Sequence, residues 1–162
     1  MSFVDRVTIE VRAGNGGDGA VSFLREAFRP RGGPDGGDGG DGGSVILRVT
    51  THRMTLRDVA KRRKYHAANG RPGSGQKCSG RGGKDEVIEL PPGTLVIDDA
   101  TDELVVDLTD PGQDFVLAQG GKGGKGNARF ATALNQVPRV ATRGEEAPSG
   151  IYRLELKLIA EV

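Results

Sequence analysis

Apolar and polar residues alternate cleanly at both ends of the chain. Phe3, Val7, Ile9 and Val11 fall on one face, with Arg6, Thr8, Glu10 and Arg12 on the other, which predicts a half-buried strand over 3–11. The last residues, 151–162, set Tyr152, Leu154, Leu156 and Leu158 against Arg153, Glu155 and Lys157, and predict another. Between them lie short apolar runs at 45–50, 86–90, 94–97, 104–108 and 114–118. Pro91-Pro92-Gly93, Asp98-Asp99 and Asp110-Pro111-Gly112 separate the later ones, which suggests hairpins. Leu56, Val59 and Ala60 give 55–66 a helical composition and a short helix there. The first and last strands bracket the chain and suggest one small barrel or sandwich.

The remaining stretches follow neither the helical nor the strand period. From Gly32 to Gly43 the chain reads GGPDGGDGGDGG, so Gly33, Gly36, Gly39 and Gly42 recur every third residue, as do Gly37, Gly40 and Gly43. Gly120, Gly123 and Gly126, with Gly121 and Gly124, repeat the pattern, and Gly14/Gly17, Gly16/Gly19, Gly70/Gly73 and Gly80/Gly83 give shorter copies. Three residues per turn is the period of polyproline II, which has no internal hydrogen bonds. Glycine at that period leaves one side bare, so neighbouring backbones can approach and bond. Four triplets with a single proline do not make a collagen triple helix. The expected fold is therefore mainly β, with little or no α-helix. A small barrel or sandwich (1–12, 45–52, 86–118, 151–162) carries a projecting bundle of polyproline II segments (13–44, 66–85, 119–150), all in one domain over 1–162.

Composition agrees. Glycine accounts for 27 of 162 residues and aromatics for only 4%, so the hydrophobic core is thin. The net charge of +1 conceals segregation. Residues 59–84 hold eight Lys or Arg and no acid, 85–121 ten Asp or Glu and no base, and 122–143 five bases and no acid. A single cysteine, Cys78, rules out an intrachain disulfide and favours a reducing compartment. With neither a signal peptide nor an apolar run long enough to span a membrane, a soluble cytoplasmic protein is expected.

Glycine density also creates false motifs. G-x-G-x-x-G occurs at Gly14/Gly16/Gly19, Gly37/Gly39/Gly42 and Gly121/Gly123/Gly126, but no long helix follows to receive a pyrophosphate. No Walker A loop is complete, since Gly124-Lys125 leads into Gly126 and Gly83-Lys84 into Asp85. The calcium β-roll nonapeptide fails at Gly43. Asp35, Asp38 and Asp41 would stand ~9 Å apart along a polyproline II edge, too far to share one ion, so a solvated edge is expected. His52 and His66 lack partners at zinc spacing, and Asp98-Asp99 and Glu145-Glu146 read as loop charges. Nothing here points to catalysis.

The basic segments carry the functional signal. Arg25, Arg29, Arg31, Lys61 to Lys64, Arg71, Lys77, Arg81, Lys84, Arg129, Arg139 and Arg143 lie mostly in glycine-rich or loop-like sequence. Charge alone divides evenly between a solvated face and RNA binding. Basic groups with few aromatics suit phosphate and shape contacts rather than base stacking along a single strand.

Several motifs, in order and spread over the whole chain, resemble the N-terminal domain of the Obg family of GTPases. They are Phe3-Val4-Asp5, Gly16-Gly17-Asp18-Gly19, Phe23-Leu24-Arg25-Glu26, and Gly32-Gly33-Pro34-Asp35 through Gly40. Pro91-Pro92-Gly93-Thr94, the 120–127 run with Phe130-Ala131-Thr132, and 154–160 complete the set. The resemblance implies six glycine-rich left-handed helices on a β-barrel, and a role in assembling the large ribosomal subunit (50S). The domain would insert near the peptidyl transferase centre like a tRNA acceptor arm. Its loop tips, here 24–31, 71–84 and 135–146, would touch ribosomal RNA. The implied RNA contacts are Arg25, Arg29, Arg31, Arg71, Lys77, Arg81, Lys84, Arg139 and Arg143. Ala27 stands where the family commonly has Lys, and Ala147 where it usually has Gly.

A GTPase domain holding GTP and Mg²⁺ is expected after Val162, so this stretch itself should neither bind nor hydrolyse the nucleotide. The other expected partners are ribosomal proteins and assembly or stress factors, with no membrane and a monomeric state. The alternative is a non-enzymatic polyproline II bundle that recognises a surface, as ice-binding proteins do.

Overall fold

A computed structural model describes residues 4–24 and 32–157. The chain runs β1 (Val4–Arg12), β2 (Val45–Val49), α1 (Arg57–Lys61), β3 (Lys64–His66), β4 (Glu86–Leu90), β5 (Thr94–Asp98), β6 (Leu104–Leu108), β7 (Asp114–Ala118), a 3-10 turn (Asn127–Phe130) and β8 (Ser149–Lys157). The fold is mainly β, as its alternation predicts. The strands form two mixed sheets, ordered β3-β1-β8-β5-β6 and β4-β2-β7. Each keeps its two edges among the described residues, so the β part is not a closed barrel.

The terminal strands pair antiparallel along their full length, from Val4 opposite Lys157 to Arg12 opposite Ser149. Their alternation places Val7, Ile9 and Val11 of β1 and Leu154 and Leu156 of β8 on the buried face. Val96 and Leu108 extend that face, and Val45, Leu47, Val49, Ile88, Leu90 and Ala118 of the smaller sheet join it in one cluster. A fully buried Leu or Ile contributes about 1.5–3 kcal/mol, so this compact set anchors everything attached to it.

Among the strands of the described residues, only β5 and β6 form a hairpin with each other. The expected hairpins at Pro91-Pro92-Gly93 and Asp110-Pro111-Gly112 are instead crossings between the sheets: β4 pairs with β2, β5 with β8, and β7 with β2. Residue alternation records which face is buried and is silent about which sheet a strand joins. Gly93 (φ 89°) and Gly112 (φ 85°) supply the left-handed backbone that these corners need. The helix expected within 55–66 is a single short element of five residues, α1, and the chain then extends into β3, parallel to β1. Tyr65 of β3 is buried against the helix, and its hydroxyl donates to the Val59 carbonyl at 3.2 Å.

Candidate nucleic-acid interface

Among the described residues, six segments that are neither helix nor strand, five of them glycine-rich, stand on the sheets and hold one another by amide bonds spaced three residues apart. Gly14, Gly17 and Ala20 donate to the carbonyls of Gly43, Gly40 and Gly37. Gly39 and Gly42 donate to Gly124 and Gly121, and Gly121, Gly124 and Asn127 donate back to Gly14, Gly17 and Ala20. These rungs measure 2.8–3.0 Å and close a cycle of three segments. A second cycle shares the central one. Gly37, Gly40 and Gly43 donate to Ser74, Arg71 and Ala68; those three donate to Cys78, Arg81 and Lys84; Gly80 and Gly83 return to Asp38 and Asp41. The sixth segment, around 142–148, accepts from Ala13, Gly16 and Gly19 and donates to Lys122 and Lys125.

The glycines make this approach possible. A Cβ at Gly39 would lie 1.8 Å from the Gly17 carbonyl oxygen, one at Gly42 1.8 Å from that of Gly14, and one at Gly123 1.9 Å from that of Gly39. Gly36, Gly120 and Gly126 meet backbone oxygens at 2.0, 1.9 and 2.1 Å. Gly33 differs: it is exposed and has nothing within 4 Å.

The aspartates of the central segment do more than line the solvated edge that their spacing suggested: Asp35 is buried, Asp38 half-buried, and Asp41 exposed but bonded. Asp38 accepts the Gly126 amide at 2.9 Å, and Asp41 the Gly123 amide at 2.8 Å. Asp18 does the same for Gly144. In each case an amide that no carbonyl serves is taken by a carboxylate, because a buried or half-buried N–H must find an acceptor. The Gly126 amide draws the Asp38 carboxyl below its ordinary value; partial burial opposes this and Arg129, bonded to the same carboxylate, adds to it.

The end of the bundle away from the sheets is tied by Asn127. It is fully buried, accepts the amides of Gly36 and Ser22 through Oδ1, and donates through Nδ2 to the carbonyls of Ser22 and Pro138. Asp35 is buried beside it; its carboxylate accepts the Gln76 amide and its carbonyl that of Lys77. Gln76 and Lys77 turn through left-handed backbone (φ 61° and 57°) around this anchor. Neither role is apparent from composition or period, because each depends on segments far apart in the chain.

Arg71, Lys77, Arg81, Lys84, Arg139 and Arg143 are all exposed on this frame. Lys77 sits on the distal turn. Arg71 and Arg81 are joined by a backbone rung one step behind it, and Lys84 lies at the end near the sheets, bonded to Ala68. Arg139 stacks over Phe23 with its guanidinium 5.4 Å from the ring centre. Arg25, Arg29 and Arg31 fall outside the described residues. Arginines of the β part, among them Arg6, Arg48, Arg53, Arg62 and Arg153, are ion-paired. None of the ion pairs among the described residues involves the six bundle cations.

The three G-x-G-x-x-G stretches offer no phosphate cradle. All nine of their glycine amides are engaged by neighbouring segments: seven by carbonyls, and Gly123 and Gly126 by Asp41 and Asp38. A nucleoside triphosphate does not fit these residues. Among the described residues no three His, Cys, Asp or Glu side chains gather as a metal site, and no helix is long and apolar enough to cross a membrane.

Fold and site define a mainly β protein bearing a laddered glycine bundle with outward cations. Comparison with known proteins names the family. The family model described as GTP1/OBG matches residues 4–158, and the chain belongs to that family. It is 52% identical over 162 residues to a protein named GTPase Obg from Desulfosudis oleivorans, covering all of this chain and 49% of that protein. It is 54% identical over 160 residues to the GTPase Obg of Aquifex aeolicus, covering 99% of this chain and 47% of that protein. The chain spans about half the length of the curated relatives it matches.

Proposed function

We propose that this chain is the RNA- and ribosome-binding domain of an Obg-type GTPase that acts in assembly of the large ribosomal subunit. In this reading the parent protein binds and hydrolyses GTP with Mg²⁺ through the half of the relatives' length not covered here. The domain inserts its basic loop tips near the peptidyl transferase centre, in the manner of a tRNA acceptor arm. It works in the bacterial cytoplasm, as a monomer that joins the subunit transiently. Ribosomal proteins and assembly or stress factors would be secondary partners.

The observation that carries the reading is the placement of cations. Six exposed Lys and Arg side chains stand on a frame cross-linked every third residue, without ion-pair partners among the described residues. A rigid frame lowers the ordering cost of binding. Cations held apart on it can each meet a phosphate and release counterions. With few aromatic groups, the surface suits the shape and backbone of folded RNA.

The test is a titration of the chain with 50S large ribosomal subunits over a salt series. Affinity should fall linearly on a log–log plot. Charge reversal at Arg71, Lys77, Arg81 and Lys84 should weaken binding and flatten that slope by about 0.7–0.9 for each phosphate no longer neutralised. Unchanged binding in this variant overturns the assignment of the basic surface.

A further inference from the structure

The loop that closes the distal end, 131–141, exposes large apolar side chains while being firmly built. Leu134 is 101% exposed, Val137 54% and Val140 63%. Yet Thr132 and Asn135 bond each other twice, the Val137 amide donates to Asn135 Oδ1, and Pro138 is buried with its carbonyl held by Asn127. The turn holds these side chains out. Soluble surfaces carry scattered apolar residues without consequence, but three in one short ordered loop make a surface suited to a partner.

Charge indicates what covers it. Residues 122–143 contain five bases and no acid; Arg129 is neutralised by Asp38, but Arg139 and Arg143, beside the loop, stand outside every ion pair among the described residues and give it a positive margin. A polyanion is the complement. On RNA, apolar side chains can be buried only against base faces, and those are available where bases are unstacked.

We propose that Leu134, Val137 and Val140 form an apolar wedge that packs on unstacked bases of the large-subunit RNA, with Arg139 and Arg143 on the adjoining phosphates. This rests on the RNA-binding reading above and adds to it a base-contacting element. It also predicts a division of labour: the cations set the salt dependence, and the wedge sets affinity at every salt concentration.

The experiment compares three variants of the chain with the unaltered one. Leu134→Ser combined with Val140→Thr removes the wedge, Leu134→Phe keeps it apolar, and Lys77→Gln removes one cation. Probes are 50S subunits and the same RNA freed of protein. The wedge-less variant should lose about tenfold or more in affinity for both probes at each salt concentration, with the salt slope unchanged. Leu134→Phe should retain binding, and Lys77→Gln should lower the slope by about one. Because the wedge side chains are exposed, melting temperatures should match. Wedge-less binding within twofold of the unaltered chain, alongside a lowered slope for Lys77→Gln, overturns the wedge and leaves the RNA reading standing. No change in either variant overturns the RNA reading and the wedge with it. A loss seen on intact subunits but not on free RNA gives the loop to a ribosomal protein, and the base contact is refuted.

Discussion

Replacing Gly39 by Ala should unfold the bundle at a lower temperature, while the same replacement at Gly82 should not. The added Cβ at Gly39 would meet the Gly17 carbonyl oxygen at 1.8 Å, where ordinary contact begins at 3.4 Å. Both groups are backbone and cannot rotate away, so the two segments must part by about 1.6 Å. The neighbouring rungs between these two segments, Gly17 to Gly40 and Ala20 to Gly37, are 2.8 and 3.0 Å long. Stretched by that much, either exceeds the ~3.2 Å limit of a useful N–H···O bond. Two buried or half-buried amides left unserved cost about 1–3 kcal/mol each, so the loss should be about 4 kcal/mol. For a chain of this size that is a fall of about 8–16 °C in melting temperature. At Gly82 the nearest atom is the Asp41 carbonyl oxygen at 3.6 Å. Alanine there should be neutral or raise stability by about 0.4–1 kcal/mol, by restricting the unfolded chain. Differential scanning calorimetry of the two variants checks this. A Gly39→Ala melt within 2 °C or so of the original, or an equal fall for Gly82→Ala, would refute the account of why the glycines are spaced in threes.

Other expectations are as direct. Asn127→Ala leaves the Gly36 and Ser22 amides and the Pro138 carbonyl without partners, the Ser22 carbonyl keeping the Asp35 amide, and should destabilise by about 3–5 kcal/mol, read from a urea midpoint. The Asp38 carboxyl is drawn down in the folded state, so its contribution to stability is complete above its ordinary value of 3.8 and is lost as pH falls through the lower folded value. Urea midpoints from pH 6 down to pH 2.5 or so should therefore fall less steeply for Asp38→Asn than for the unaltered chain. Tyr65→Phe removes the hydroxyl that serves the Val59 carbonyl and should cost about 0.5–1.5 kcal/mol by the same measurement. Gly33→Ala, with open space around it, should leave the melting temperature within a few degrees of the original.

Much of the β part can be read from the residues because alternation is a local signal. β4 to β7 begin where their apolar runs do, and the faces of β1 and β8 are those that Val7, Ile9, Leu154 and Leu156 dictate. Sheet membership is not local, so the corners at Gly93 and Gly112 look like hairpins until their partners are seen. Lys64–His66 has too few residues and too much charge to announce a strand; β1 recruits it. In the bundle, the glycine triplets are plain in the sequence. Which segment each would serve is not, and this hides the work of Asp38, Asp41 and Asn127, each of which serves a residue many positions away. The basic side chains are easy to list from composition. Their separation from carboxylates is a property of the folded surface.

The pairing of β1 with β8 has a consequence for biosynthesis. β1 finds its antiparallel neighbour only when β8, more than 130 residues later, has been made. The sixth bundle segment, which accepts from Ala13, Gly16 and Gly19, also arrives late. Until then the nascent glycine tracts have no complete set of acceptors, and slow, long-range closure of this kind exposes a chain to misassembly. Closure of the larger sheet should therefore come late, and a stalled translation product ending before Ser149 should be open to proteases at β1 and at the β5–β6 hairpin, the strands that β8 joins.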